Sequence, residues 1–343
     1  MTASATGSGP TDVGGPYFDD FEVGHRFDAA PSVTFTDGLA AVHQSILGDR
    51  MRLPVDAHLS RRVGGGAAFV HPGLVCDMAI GQSTLATHHV RANLFYRGLR
   101  MLGAPRIGDT LTTVTTVVGL RENSAKAGRA PTGLAALHIE SHDQSGRRIL
   151  DFHRCAMLPF SPDHGGTGPQ GHRHDDDLSV IGRDRETDTR PDLTDYDLAA
   201  FRAAAPGDHF RSDLLGRVFR SSGDVVSGAP ELARATLNIA ATHHDARATG
   251  HRLVYGGHTI GVALAQATRA LPDIVTVTRW ESCEHLGPVR EGDTLSSELT
   301  VTACSPEPQG GGTADLRSIV HAHDAGSDSP RAVLDWSFTV LLA

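Results

Sequence analysis

Gly108-Asp109-Thr110-Leu111 and Gly292-Asp293-Thr294-Leu295 are the same four residues met twice, 184 positions apart. At that offset Leu150-Asp151-Phe152 recurs as Leu334-Asp335-Trp336, and Ala79, Gln82 and Thr84 recur as Ala263, Gln266 and Thr268. Three matches in one order at one offset imply a duplicated unit of domain size. The copies part just before the middle of each. Val70-His71-Pro72-Gly73 in the first corresponds to Val254-Tyr255-Gly256-Gly257-His258 in the second, which follows a His-His-Asp cluster.

Around these anchors each half repeats one pattern. A single apolar helix is expected over 73–86 and over 257–270, the second stopped by Pro272. β-Branched and alternating runs follow at 110–118, 134–139 and 149–157, and again at 294–302, 318–322 and 333–341. Gly, Asp and Pro divide them, as antiparallel strands require. The fold class is therefore α+β, each unit a long apolar helix wrapped by an antiparallel sheet. A tail covers 1–15, the units span 16–160 and 196–343, and a linker occupies 161–195. The linker is rich in Gly, Pro, Asp and His and too poor in apolar residues to fold alone. Its run His172-Arg173-His174-Asp175-Asp176-Asp177 carries metal-ligand chemistry, but such runs in polar linkers are mostly solvated, and no metal is assigned.

With 343 residues, 39% of them hydrophobic and 21% charged, the chain can bury two cores. Its formal net charge of −9 argues against nucleic-acid binding, which needs a basic face. No apolar run approaches the ~18 residues of a membrane span. The first residues lack the basic and apolar regions of a signal peptide, so a cytoplasmic location is expected. Cys76, Cys155, Cys283 and Cys304 have neither metal nor disulfide spacing and read as buried thiols.

The opening segment PYFDDFEVGHRF, the phrase ProArgIleGlyAspThrLeu (105–111) and its echo ValArgGluGlyAspThrLeu (289–295) resemble the MaoC-like hydratases and dehydratases. The form resembled is the double hotdog, two hotdog units in one chain, and the likeness covers both units but not the tail or linker. It implies an acyl-CoA substrate, no further cofactor and a place in fatty acid metabolism. The family's motif has an acidic residue or Asn, then His five positions on, then an acidic residue two beyond. Asn238, His243 and Asp245 match it, ahead of a helix start at Tyr255-Gly256-Gly257-His258. The resemblance thus implies catalysis by His243, Asn238 and Asp245, with the thioester held at Gly256 and Gly257. It leaves the acyl group open between branched or dicarboxylic, fatty and sterol-derived. Asn238 is a departure, because the usual Asp can take a proton and Asn cannot near neutral pH. His243 is left as the proton handler.

Hydration of a 2-enoyl thioester needs an activated water at the β-carbon, a proton at the α-carbon and a stabilised thioester oxygen. Histidine suits the proton steps. Glycine opening a helix suits the third, since bare N–H groups and the helix dipole meet the developing charge. Bland readings stand beside these: loop polarity for His243 and His244, a turn cap for Asp245, tight packing for Gly256 and Gly257. Trp280–His285 reads as a strand with edge polar groups.

In a gapless register of 53–73 against 237–257, His243 faces Leu59. Asp49 imitates the motif's acid, but Pro54 stands five positions later, so the site is expected in the C-terminal half alone. Arg91, Arg97 and Arg100 are candidates for CoA phosphates, set against solvated surface arginine. Two other functions suit the same fold. Thioester hydrolysis would use Asp49, Asp56 or Asp245, and non-catalytic acyl-CoA or lipid binding is favoured by the missing Asp. The covalent repeat makes a monomer feasible, and a homodimer is compatible with it.

Overall fold

The computed structural model describes residues 13–124, 128–162, 174–183, 193–308, 310–323 and 329–343. Its first half comprises β1 (Arg26–Phe27), β2 (Val33–Thr34), α1 (Asp37–Leu47), α2 (Arg52–Val55), α3 (Ala57–Gly64), α4 (Pro72–Gln82), β3 (Ala92–Met101), β4 (Thr110–Glu122), β5 (Thr132–His142) and β6 (Arg148–Pro159). The second comprises α5 (Leu198–Ala204), β7 (Val218–Arg220), β8 (Asp224–Val225), α6 (Ala229–Ala235), α7 (Ala241–His244), α8 (Ala246–Thr249), α9 (Gly256–Ala270), β9 (Ile274–His285), β10 (Thr294–Pro306), β11 (Gly312–His323) and β12 (Arg331–Leu342).

The residues that recur in the sequence fix the same contacts twice. Gly108 and Gly292 sit at φ of +102° and +92°, a conformation that favours glycine. The Asp after each closes the turn. Asp109 Oδ2 accepts from the Arg106 N–H at 2.7 Å, and Asp293 Oδ2 from the Arg290 N–H at 2.9 Å. Leu111 and Leu295 are the second residues of the next strands, and their carbonyls accept from Gln82 and Gln266 at 3.2 and 2.8 Å. Each buried glutamine thus ties a central helix to its own sheet.

Helices α4 and α9 are buried on nearly every side, as helices apolar all round must be. Leu74 and Met78 are fully buried, each worth roughly 1.5–3 kcal/mol of transfer free energy. The first helix ends earlier than expected, giving way at Ser83 to a 3-10 turn over Ser83–Thr87. Here the Ser83 and Thr84 hydroxyls donate to the Ile80 and Gly81 carbonyls, competing with the regular ladder.

All strands join one sheet in the order β1-β4-β5-β6-β3-β9-β12-β11-β10-β7, with β2 on β4 and β8 on β10. The halves meet where β3 pairs β9, Tyr96 opposite Cys283 and Arg97 opposite Ser282. The Trp280–His285 stretch is therefore mid-sheet rather than at an edge, flanked by β3 and β12. The six expected strands appear as β4–β6 and β10–β12, while β3 and β9 lack a clean alternation because the joint buries both faces unevenly.

The polar stretch 161–195 is described in part, and that part is not simply solvated. Leu178 packs against Phe95, Ala136 and Cys155, and Asp176 Oδ2 accepts from the Leu120 N–H at 2.8 Å. Leu193 packs against the cluster of Leu53, Leu59 and Phe69, and just beyond the stretch Tyr196 stacks on Phe69 at 4.7 Å. His172 and Arg173 lie outside the described residues. Cys76, Cys155 and Cys283 are buried free thiols, and Cys304 is half-buried. Among the described residues no helix is long and apolar enough to cross a membrane.

Candidate active site

A cavity of about 330 Å³ opens between the halves. Thr84, Arg91, Tyr96 and Arg154 come to it from the first half, and Asn238, Thr242, His243, Tyr255, Gly256 and His285 from the second. The site is thus shared, not confined to the C-terminal unit.

The turn after α6 presents Asn238. Leu237 adopts φ +58°, a strained conformation for a branched side chain. Close backbone contact holds it there. A β-carbon on Gly81 would lie 1.7 Å from the Thr236 carbonyl oxygen, and Thr84 Oγ1 accepts from the Ile239 N–H at 3.0 Å. Asn238 is 3% exposed, and its Oδ1 accepts from the Ala240 N–H at 3.0 Å. With Oδ1 engaged in the turn, what remains is the Nδ2 amide donor.

His243 lies on α7 with Nδ1 2.9 Å from the Leu253 carbonyl oxygen. A carbonyl only accepts, so Nδ1 carries the proton and Nε2 keeps its lone pair. Burial lowers its pKa to about 4, and the nearby Arg154 cation acts in the same direction. The ring is neutral at physiological pH. Its neighbour His244 turns away, with Nε2 2.6 Å from the Asn238 carbonyl oxygen.

Gly256 begins α9 at the cavity wall, where the first N–H groups of a helix have no intrahelical partner. A β-carbon there would lie 2.6 Å from His285 Nε2, a buried nitrogen without a hydrogen-bond partner. Gly257 is not at the cavity. A β-carbon on it would lie 2.0 Å from Asp77 Oδ1, so its smallness serves the packing of α9 on α4.

Asp245 stands apart from the other motif residues. Its carboxylate caps α8 through the Arg247 N–H and pairs with the Arg247 guanidinium at 2.8 Å, facing solvent. Of the three arginines proposed for phosphates, Arg91 lines the cavity. Arg97 lies over the Phe95 ring and donates to carbonyls of 178–181, and Arg100 lies 3.8 Å from Asp151.

The other half holds a counterpart in a different register from the gapless one. α2 and α3 correspond to α7 and α8, so Asp49 matches Asn238, Pro54 matches His243 and Asp56 matches Asp245. The hydrogen bonds agree. Asp49 Oδ1 accepts from Met51 as Asn238 Oδ1 does from Ala240, and Asp56 Oδ1 accepts from His58 as Asp245 Oδ1 does from Arg247. Asp49 instead lies 3.1 Å from His71 Nε2, and His43 lies 3.2 Å from Asp77, all four buried. The motif acid survives in the copy that lost the motif histidine.

No family model matches the chain. A solved conserved hypothetical protein from Mycobacterium tuberculosis, with a double hotdog fold, is 55% identical over 97% of this chain and 100% of its own, at a TM-score of 0.91. A MaoC domain dehydratase structure from Chloroflexus aurantiacus superposes at 0.76 with 26% identity, covering 96% and 97% of the two chains. This chain is a double hotdog, similar to the MaoC-like dehydratases. Two characterised relatives match across 96% of it. The β-methylmalyl-CoA dehydratase of Chloroflexus aurantiacus is 26% identical over 97% of its length, and the mesaconyl-CoA hydratase of Cereibacter sphaeroides 27% over 98%.

Three cavity residues, Thr84, Tyr96 and Arg154, were not among the residues expected from sequence. Thr84 had a signal, its recurrence as Thr268, since each hydroxyl reaches the opposite half's motif turn. Tyr96 had none, as β3 was not anticipated. Arg154 had one too: at the repeat offset its place is taken by Phe338.

Proposed function

We propose that the chain is an acyl-CoA hydro-lyase interconverting 2-enoyl-CoA and (R)-3-hydroxyacyl-CoA. The observation that carries this is His243, a neutral imidazole whose Nδ1 is engaged at Leu253, so that Nε2 keeps its lone pair, lining a cavity with the α9 N-terminus. The CoA hydratase and dehydratase relatives support it across nearly the whole chain.

In this reading Asn238 Nδ2 donates to the oxygen of a water whose O–H points at His243 Nε2. The oxygen bonds the β-carbon as Nε2 takes the proton, and the electron pair of the double bond moves toward the thioester oxygen. The Gly256 N–H and the positive end of α9 stabilise that oxygen. The imidazolium then returns its proton to the α-carbon, completing addition of water across the double bond. One histidine makes both transfers, so the missing Asp is not needed as an acid. A folded-state pKa of about 4 makes the imidazolium a strong donor for the second step. The reaction asks for no cofactor beyond the CoA of its substrate, and a cytoplasmic setting and a role in fatty acid metabolism go with it.

Thioester hydrolysis is the weaker reading, because no Asp or Glu is among the described residues lining the cavity. The test follows the conjugated thioester's ultraviolet absorbance alongside a thiol reagent. Absorbance loss without thiol release supports a hydro-lyase, and thiol release supports a thioesterase.

A further inference from the structure

Among the described residues no carboxylate pairs with the Arg154 cation. It lies on β6 at 3% exposure and lines the cavity. One guanidinium nitrogen donates to the Ser83 carbonyl at 3.2 Å and to Thr87 Oγ1 at 2.8 Å, both neutral acceptors. Its Nε is buried without a partner. The charged neighbours that bear on it are weak acids, Tyr96, Tyr255 and Cys155, none ionised near neutral pH. Buried charges are ordinarily paired, because taking an ion out of water unpaired costs several kcal/mol.

The duplication shows that the fold does not demand this cation. The offset that sets Leu150-Asp151-Phe152 on Leu334-Asp335-Trp336 sets Arg154 on Phe338, which is buried and stacks on Trp336 at 3.6 Å. An aromatic ring fills that strand position in the second half, where the corresponding residue does not line the cavity. A role limited to capping the α4 end would use the Ser83 and Thr87 bonds and leave Nε idle.

We infer that Arg154 binds a carboxylate at the far end of the acyl group, so that the substrate is the CoA monothioester of a short dicarboxylic acid. The guanidinium fork suits a carboxylate in two-point contact. A cavity of about 330 Å³ is at the small end for ligand sites and fits a short acyl group. Placing the anion there neutralises the buried cation and fixes the acyl chain's depth relative to His243. This inference rests on the hydro-lyase reading for its reaction, but not for its binding preference.

Fumaryl-CoA and crotonyl-CoA form the matched test pair, identical except that a carboxylate replaces a methyl. Calorimetric binding to the full-length protein should favour fumaryl-CoA by roughly 100-fold, and kcat/KM should follow. In Arg154→Gln that ratio should collapse toward one, and Arg154→Lys, which keeps the charge, should restore part of it. Equal binding of the two esters by the wild-type protein would overturn the inference, as would an Arg154→Gln that weakens both equally. If Arg154→Gln does not fold, the wild-type protein still decides through competition, where free fumarate must displace fumaryl-CoA better than crotonate does. A preference for fumaryl-CoA without turnover would sink the hydro-lyase reading and leave the role of Arg154 standing.

Discussion

The Leu253 carbonyl oxygen, 2.9 Å from His243 Nδ1, decides which nitrogen of that ring can act as a base. Nδ1 must donate there, so Nε2 keeps the lone pair on a ring that lines the cavity. Burial holds the pKa at about 4, against an ordinary value near 6.5. The acidic limb of kcat/KM should therefore fall near pH 4 and not near 6.5. Initial rates from about pH 4 to 8, with folding checked by circular dichroism at each point, measure this. His243→Gln should remove the limb together with most of the activity.

Gly256 and Gly257 separate chemistry from packing. Gly256→Ala sets a methyl against His285 Nε2 and crowds the helix start, and kcat should fall about 100- to 1000-fold with the melting temperature little changed. Gly257→Ala drives a methyl into Asp77 Oδ1 and should destabilise by roughly 1–3 kcal/mol, seen as a lower denaturation midpoint.

Asp245→Ala should leave kcat within about twofold of wild type, since the carboxylate caps α8 and pairs with Arg247 outside the cavity. Steady-state kinetics on the purified variant check it, and a loss near that of His243→Gln would return Asp245 to the chemistry.

Acid should unfold the protein early. His153, His243, His258 and His285 each have a folded pKa lowered to about 4 by burial. Unfolded histidine titrates near 6.5, so between the two values the unfolded chain binds more protons. Stability is full above about pH 6.5 and is lost as pH falls toward 4, by roughly 2 kcal/mol for each histidine at about pH 5. Urea titrations at about pH 7 and pH 5 report this directly.

The anchors of the fold were legible because each does a local job that needs its residue type. Glycine meets a positive φ at 108 and 292, aspartate closes the turn, and glutamine reaches a neighbouring carbonyl. Asn238, His243 and Gly256 were legible as a motif, and the structure brings those three to one cavity. What escaped was long-range. The β3–β9 joint is a pairing across nearly 200 residues with no local signature, and it carries Tyr96 and His285 to the site. Asp245 shares a sequence motif with His243, yet a single helical turn directs it outward. The register of the two copies misled because α3 is twice the length of α8, which a gapless alignment cannot absorb.

If His243 moves both protons of the hydration, removing its ring should stop the reaction. The direct measurement is the loss of conjugated-thioester absorbance from fumaryl-CoA with wild-type protein and with a folded His243→Ala. The expected result is steady loss without thiol release for the wild type and a rate at least about 100-fold lower for the variant. An unchanged rate in His243→Ala would contradict it.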